Sequence, residues 1–299
     1  MNRARILASG IATLVSLCAF GLSADAQQQP SPLSVKKLAE DVYWTQGGAG
    51  GNTGIIIGKD GVIVVDAKTT ADSAKQVLAE IAKLTPKPVT TVILTHSDGD
   101  HVNGLAAFPT GLTIISTEGC KKEMEASTSS RNPAPQDHLP TKTIDKRENF
   151  TINGERLVLI HTVPAHTSGD LQVFLPDQKI VFTGDIIAAN QEFTLIHAEK
   201  NGSSAGWIET VKVLTSLKAD NYVPGHGDLQ TKADVQTRLA TVEARHEQIK
   251  LLVGEGKSLP EIKQQLGEPD PPAGAPPPVP NFPTYTTVVY NEMSKKTLQ

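Results

Sequence analysis

The chain has 299 residues, of which 38% are apolar and 20% charged, and its formal net charge is −4. That length and apolar content suit one large folded domain or two small ones, and they exclude a fibrous or wholly disordered protein. The mild acidity excludes binding to nucleic acid or anionic lipid through bulk charge.

Residues 1–26 differ in kind from the rest. Arg3 and Arg5 precede an uncharged apolar run, Ile6 to Leu22, and the small residues Ala24 and Ala26 bracket Asp25 just before Gln27. This is the order of a cleavable export signal, so a periplasmic or extracellular protein is expected. The competing reading is an uncleaved anchor, because the run is near the lower limit for spanning a bilayer. Cleavage would leave 26 basic and 31 acidic residues, with Cys120 as the single cysteine. No intrachain disulfide is then possible, and no stable membrane insertion is expected.

Residues 27–267 read as the folded domain. Short strands are predicted at Val42 to Thr45, Gly54 to Ile57 and Val62 to Val65, separated by glycine turns. Apolar residues at helical spacing predict a helix over Thr70 to Leu84, closed by Pro86. The run "VTTVILT" then reads as a strand buried on both faces, "LTIIS" as another strand, and "EGCKKEMEA" as a helix. A polar loop, Ser127 to Pro140, follows. Further strands are expected near Phe150 to Ile152, Arg156 to Ile160, Leu171 to Leu175 and Lys179 to Thr183, with helices near Ala205 to Leu217 and Ala233 to Leu252. Strands and helices recur in both halves, which favours a layered α/β architecture. Residues 268–283 hold eight of the twenty prolines and read as an extended linker. The tail 284–299 is expected to form a last helix, either packed on the domain or projecting from it.

Four segments share one arrangement, an apolar strand running into a turn that carries histidine or aspartate. They are "TVILTHSDGDH" (His96 to His101), "LVLIHTVPAHTSGD" (His166), "KIVFTGD" (Asp185) and "DNYVPGHGD" (His226). Strand ends at one edge would bring these residues together, where α/β proteins usually place their sites. Imidazole and carboxylate are the common ligands of divalent first-row ions, so the candidate metal ligands are His96, Asp98, Asp100, His101, His166, Asp185 and His226. In an extended turn, positions 96, 98 and 100 approach one side, while His101 reaches a second ion. A lone histidine such as His226 is more often structural than ligating, and the clustered residues give it weight. His138, His161, Asp170 and Asp228 read as structural or capping residues, Asp66 as a turn or supporting contact, and Cys120 as unreactive.

The arrangement resembles the metallo-β-lactamase superfamily. "HSDGDH" is similar to its H-x-H-x-D-H motif, and "PAHTSGD", "FTGD" and "PGHGD" are similar to its later segments, in the same order between Val42 and Asp228. The resemblance implies a four-layer αβ/βα sandwich with a two-metal site at its edge, and usually hydrolysis. It implies His96, position 98 and His166 on one ion, Asp100, His101 and His226 on the other, Asp185 between them, and a proton-handling role for Asp100. The chain departs from the motif at Asp98, where the superfamily has histidine. The extra carboxylate is expected to make the centre less positive and its water less acidic, and to open the site to Mn or Fe beside Zn, which still leads. The expected activity is hydrolysis of a small-molecule ester, lactone, lactam or similar substrate by a metal-bound hydroxide. The alternatives are a di-iron oxidoreductase of the same fold, or a metal-stabilised binding protein without catalysis. The turn Gly47 to Asn52 reads as either a flap or an ordinary hairpin, and Ser127 to Pro140 as a second wall or an ordinary loop.

Overall fold

The computed structural model describes residues 32–129, 133–268 and 282–297. The expected signal, residues 1–26, lies outside the described residues, as does most of the proline-rich segment. One sheet runs in chain order, β1 (Ser34–Ala39), β2 (Val42–Gln46), β3 (Thr53–Ile57), β4 (Val62–Val65), β5 (Val89–Ile93), β6 (Thr113–Thr117) and β7 (Lys142–Ile144). It is antiparallel from β1 to β4 and parallel from β4 to β7. The second sheet contains β8 (Arg147–Ile152), β9 (Glu155–Ile160), β10 (Gln172–Leu175), β11 (Ile180–Ala188), β12 (Asn221–His226) and β13 (Gln230–Thr231), ordered β13-β12-β11-β10-β9-β8. Its one parallel pair is β11 with β12.

Helices α1 (Ala71–Leu84), α2 (Gly99–Val102) and α3 (Glu118–Ala126) accompany the first sheet. Helices α4 (Ser204–Ser216), α5 (Lys232–Gly254), α6 (Leu259–Gln265) and α7 (Tyr285–Thr297) accompany the second. The period-2 alternation of the strands assigns each side chain to a layer. Ile56, Ile63, Ile93 and Ile115 of the first sheet meet Leu157, Leu159, Val173 and Phe182 of the second. Their neighbours Ile55, Val62, Val64 and Val92 face α1 and α3, where Ala74, Val77, Ile81 and Met124 are buried. On the other side, Val158, Phe174, Val181 and Tyr222 face Trp207 and Val211 of α4, Val235 and Val242 of α5, and Val288 and Val289 of α7. Three apolar interfaces therefore separate four layers, αβ/βα, and strands buried on both faces read as continuous apolar runs. Among the described residues no helix is long and apolar enough to cross a membrane.

Several elements differ from the sequence reading. Strand β1 is exposed along "SVKKLA", so it offers little apolar pattern to read, and α6 has a single buried residue, Ile262. The loop around Ala134 to His138 packs beneath the first sheet rather than acting as a wall. Ala134 joins the helix-side core, Gln136 bonds the Met124 carbonyl, and the buried His138 ring meets the Phe108 carbonyl at 3.0 Å. Asp185 is inside β11 rather than in a turn after it. The ladder to β12 breaks on both sides of Gly184, whose φ of +53° lets the strand bulge and turn the aspartate toward the site.

Candidate metal centre

The C-terminal ends of the parallel strands β4, β5, β11 and β12 meet at one edge of the sandwich. His96 follows β5, Asp185 sits on β11, His226 ends β12, and His166 lies in the loop between β9 and β10. All seven predicted ligands converge there. They form three overlapping groups, His96 with Asp98 and His166, Asp100 with His101 and His226, and His96 with His101 and Asp185. The ligand atoms within each group lie within 4.8 Å of one another. Asp185 is central, with Oδ1 3.2 Å from His101 Nε2 and Oδ2 3.5 Å from His226 Nε2, 3.9 Å from His166 Nε2 and 4.0 Å from His96 Nε2.

The local backbone corrects one detail of the sequence reading. The turn is extended only as far as Asp98 (φ −65°, ψ 139°), where α2 begins and the His101 N–H donates to the Asp98 carbonyl at 2.8 Å. Asp100 therefore leaves the side occupied by positions 96 and 98. Its Oδ2 lies 3.0 Å from His226 Nε2 and 3.7 Å from His101 Nε2.

Hydrogen bonds at Nδ1 fix three of the imidazoles. The His101 Nδ1–H donates to Asp66 Oδ2 at 2.8 Å, and the His166 Nδ1–H donates to the Leu195 carbonyl at 2.8 Å. Thr95 donates its hydroxyl to Asp66 Oδ2 at 2.7 Å, so it accepts from His96 Nδ1 at 3.0 Å. Each Nε2 lone pair is thereby left for a ligand, the usual way a neighbouring group sets a metal-binding tautomer. Asp66 also accepts the Thr95 N–H at 2.8 Å, so this buried carboxylate organises two of the candidate ligand histidines.

Charge and spacing fit cations. Burial by itself would raise the carboxyls and lower the imidazoles, but their mutual contacts prevail. His166 and His96 hold Asp98 well below the carboxylate range, and His101 and His226 do the same for Asp185. The charges of Asp185 and Asp100 push His101 well up, and Asp98 with Asp185 push His166 up to about 10. The cluster therefore stabilises positive charge strongly. Among the described residues, buried His96 Nε2 and Asp185 Oδ1 have no hydrogen-bond partner, and four imidazoles with three carboxylates are a donor set for divalent first-row ions. Close approach also requires glycine at two positions. A Cβ on Gly225 would lie 1.9 Å from Asp185 Oδ1, and one on Gly51 would lie 2.3 Å from the His101 ring.

Residues 47–226 match the sequence profile of the metallo-beta-lactamase superfamily. The chain belongs to that superfamily. Its members bind metal and are mostly hydrolases, which supports a metal-dependent hydrolase at the level of the family. A linear primary-alkylsulfatase of Pseudomonas sp. (strain ATCC 19151) is 24% identical over 213 residues, covering 56% of this chain and 40% of the relative. The 2,4-dinitroanisole O-demethylase subunit alpha of Nocardioides sp. (strain JS1661) is 29% identical over 173 residues, covering 57% and 51%. The chain thus spans about half the length of these two relatives. A metallo-beta-lactamase from Pontibacter korlensis superposes with a TM-score of 0.61 at 19% identity, covering 71% of this chain and 99% of that one, a likeness of fold.

Some residues at the site were not found from the sequence. Lys200 donates to Asp98 Oδ1 at 2.5 Å, so the extra negative charge expected from Asp98 is met by an ammonium. The His197 ring lies beside it, with Nε2 3.8 Å from the same oxygen. Phe282, just before α7, sits 4.8 Å from the His197 ring and 6.3 Å from the His166 ring. No motif marks these residues, because each belongs to a loop far from the strand ends in sequence. The Gly47–Asn52 turn is pinned, not a free flap. Gly51 N–H donates to the Asp100 carbonyl, Asn52 Nδ2 reaches the Pro224 and Gly227 carbonyls, and buried Lys68 bonds the Gly47 and Gly51 carbonyls. Asp170 bonds Thr167, Asp228 accepts from Gln46, and the His161 ring meets the Asp170 carbonyl, so these three hold loops.

Proposed function

We propose that this chain is an exported two-metal hydrolase that cleaves a small ester, lactone, lactam or sulfate ester. The observation that carries the reading is the pair of three-residue ligand groups joined through Asp185. When bound, divalent ions would supply Lewis acidity that polarises the scissile group and acidifies water at the site. His96, Asp98 and His166 would hold one ion, Asp100, His101 and His226 the other, and Asp185 would bridge, with zinc the leading metal and Mn or Fe the alternatives.

The protein's own groups supply orientation and proton transfer. Asp66, Thr95 and the Leu195 carbonyl keep three imidazoles in the tautomer that presents Nε2. Asp100 is the most open of the three carboxylates, with its side chain 36% exposed. It can take a proton from the attacking water and return it to the leaving oxygen or nitrogen, in the manner of a general acid and base. The sulfatase and lactamase names among its relatives support testing sulfate esters and lactams together.

Metal analysis of the purified protein with a hydrolysis screen over lactams, lactones, carboxylate esters and alkyl sulfates tests the reading. Two equivalents of divalent metal and turnover of one class are expected, and Asp185→Asn should lose at least one equivalent and most activity. Absence of stoichiometric metal under every loading condition overturns it. Bound iron with redox turnover would instead favour the oxidoreductase, and metal without turnover a binding protein. Export predicts a secreted form whose N-terminus is Gln27 by mass spectrometry.

A further inference from the structure

The two oxygens of Asp98 face different groups. Oδ2 lies 3.1 Å from His166 Nε2 and 3.6 Å from His96 Nε2, on the side where the ligand atoms converge. Oδ1 lies 2.5 Å from the Lys200 ammonium. Lys200 also donates to Ser97 Oγ at 2.8 Å, Ser97 donates to Glu123 Oε2 at 2.5 Å, and Ser168 donates to Glu123 Oε1 at 2.6 Å. An ordered chain therefore runs from α3 through Ser97 and Lys200 to Asp98.

The backbone holds this chain in register with the ligands. The single turn Ala198–Lys200 ends at Asn201 in the left-handed region (φ +56°). His197 N–H donates to the His166 carbonyl at 2.7 Å, and Ser168 N–H donates to the Lys200 carbonyl at 2.8 Å. Lys200 is thus tied on both sides to the loop that presents His166. Its side chain is 24% exposed and that of Asp98 13%, so the pair is shielded from much of the screening that weakens surface ion pairs.

We propose that Lys200 is a positioning residue for the His96–Asp98–His166 subsite: its ammonium holds Asp98 to one ligating oxygen and returns the positive charge that the aspartate removes. Asp98 and Lys200 then act as one unit with the net charge of a neutral ligand. A carboxylate alone would bring both oxygens and a full charge to the ion, favouring oxygen-seeking metals, whereas the pair keeps the subsite suited to zinc. The inference rests on the reading of the seven residues as a metal centre.

A double-mutant cycle tests it, with Zn²⁺ and Mn²⁺ dissociation constants of metal-depleted protein measured by chelator competition. Asp98→His alone should weaken zinc binding in this subsite about tenfold or more, because the ammonium then faces an imidazole and a dication with no carboxylate between them. Adding Lys200→Met to Asp98→His should restore at least about tenfold. In the otherwise native protein, Lys200→Met should fail to improve zinc binding and should shift the Zn²⁺ to Mn²⁺ preference toward Mn²⁺, while Lys200→Arg should keep the native preference. The proposal is overturned if Lys200→Met changes zinc affinity by the same factor with and without Asp98→His, or if Lys200→Arg and Lys200→Met behave alike. Metal uptake with such additive effects removes this inference and leaves the metal centre standing. No uptake by the native protein at any loading removes both.

Discussion

Asp66→Asn tests how far the site depends on a residue that touches no ion. Asn tolerates the left-handed backbone at this position (φ +63°), so the change acts through the side chain. The amide oxygen can keep the Thr95 N–H bond, but the amide N–H₂ then replaces Oδ2 and faces the Thr95 hydroxyl and the His101 Nδ1–H, each 2.7 to 2.8 Å from that atom. Two donors cannot share that space. The hydrogen bonds are satisfied only if His101 accepts at Nδ1 and carries its proton on Nε2, and if Thr95 turns its hydroxyl toward His96 Nδ1, which moves the His96 proton the same way. Both imidazoles then present N–H where a lone pair is required. Restoring the ligating tautomer breaks a buried hydrogen bond at each ring, so metal affinity should fall about 10- to 100-fold, or ~1.4–2.7 kcal/mol per ion. Metal binding at the proposed Asp100, His101 and His226 subsite should suffer more, because Asp66 reaches His101 directly and His96 only through Thr95. Stepwise dissociation constants from chelator competition measure this, with circular dichroism confirming the fold. Two dissociation constants within about twofold of the native values would refute the tautomer argument.

Other consequences follow from the same geometry. Gly225→Ala puts a methyl 1.9 Å from Asp185 Oδ1 and 2.8 Å from the Gly184 backbone carbon, so bound metal should drop from two equivalents to one or fewer by elemental analysis. Full occupancy would show that Asp185 does not bridge. Burial lowers the Lys68 ammonium from 10.5 to about 8, against the opposing charges of Asp66 and Asp100. Between those values the unfolded chain holds a proton that the folded chain lacks, so this residue's contribution to stability rises with pH, by up to about 3 kcal/mol, and its full cost is present below pH 8. Urea unfolding of metal-free native and Lys68→Met protein should therefore show a stability difference, native minus variant, that increases from about pH 8 to about pH 10, and a falling difference would contradict the assignment. Phe282→Ala should leave metal content unchanged and raise KM about tenfold for substrates with an apolar group, about 1.4 kcal/mol of lost contact, with little change in kcat. A change in metal content instead would mean that Phe282 supports His166 rather than the substrate.

The sequence by itself determined the layered α/β architecture and the identity of the seven clustered residues. Strand and helix periods survive in runs such as "GVIVVDA" and Ala71–Leu84, and an apolar strand followed by histidine or aspartate is a local signal. Elements with little apolar contrast, β1 and α6, carried no such signal. The bulge at Gly184 was equally silent, because a ladder irregularity depends on the partner strand β12. Only the tertiary structure decided what surrounds these seven residues. It began α2 at Gly99 and so turned Asp100 away from positions 96 and 98, gave Asp66 two histidines to orient, and placed Lys200 against Asp98 from 102 positions away. The physical reason is that a ligand's residue type is local, whereas its tautomer, its net charge and the number of oxygens it offers are set by neighbours that folding alone brings within hydrogen-bonding distance.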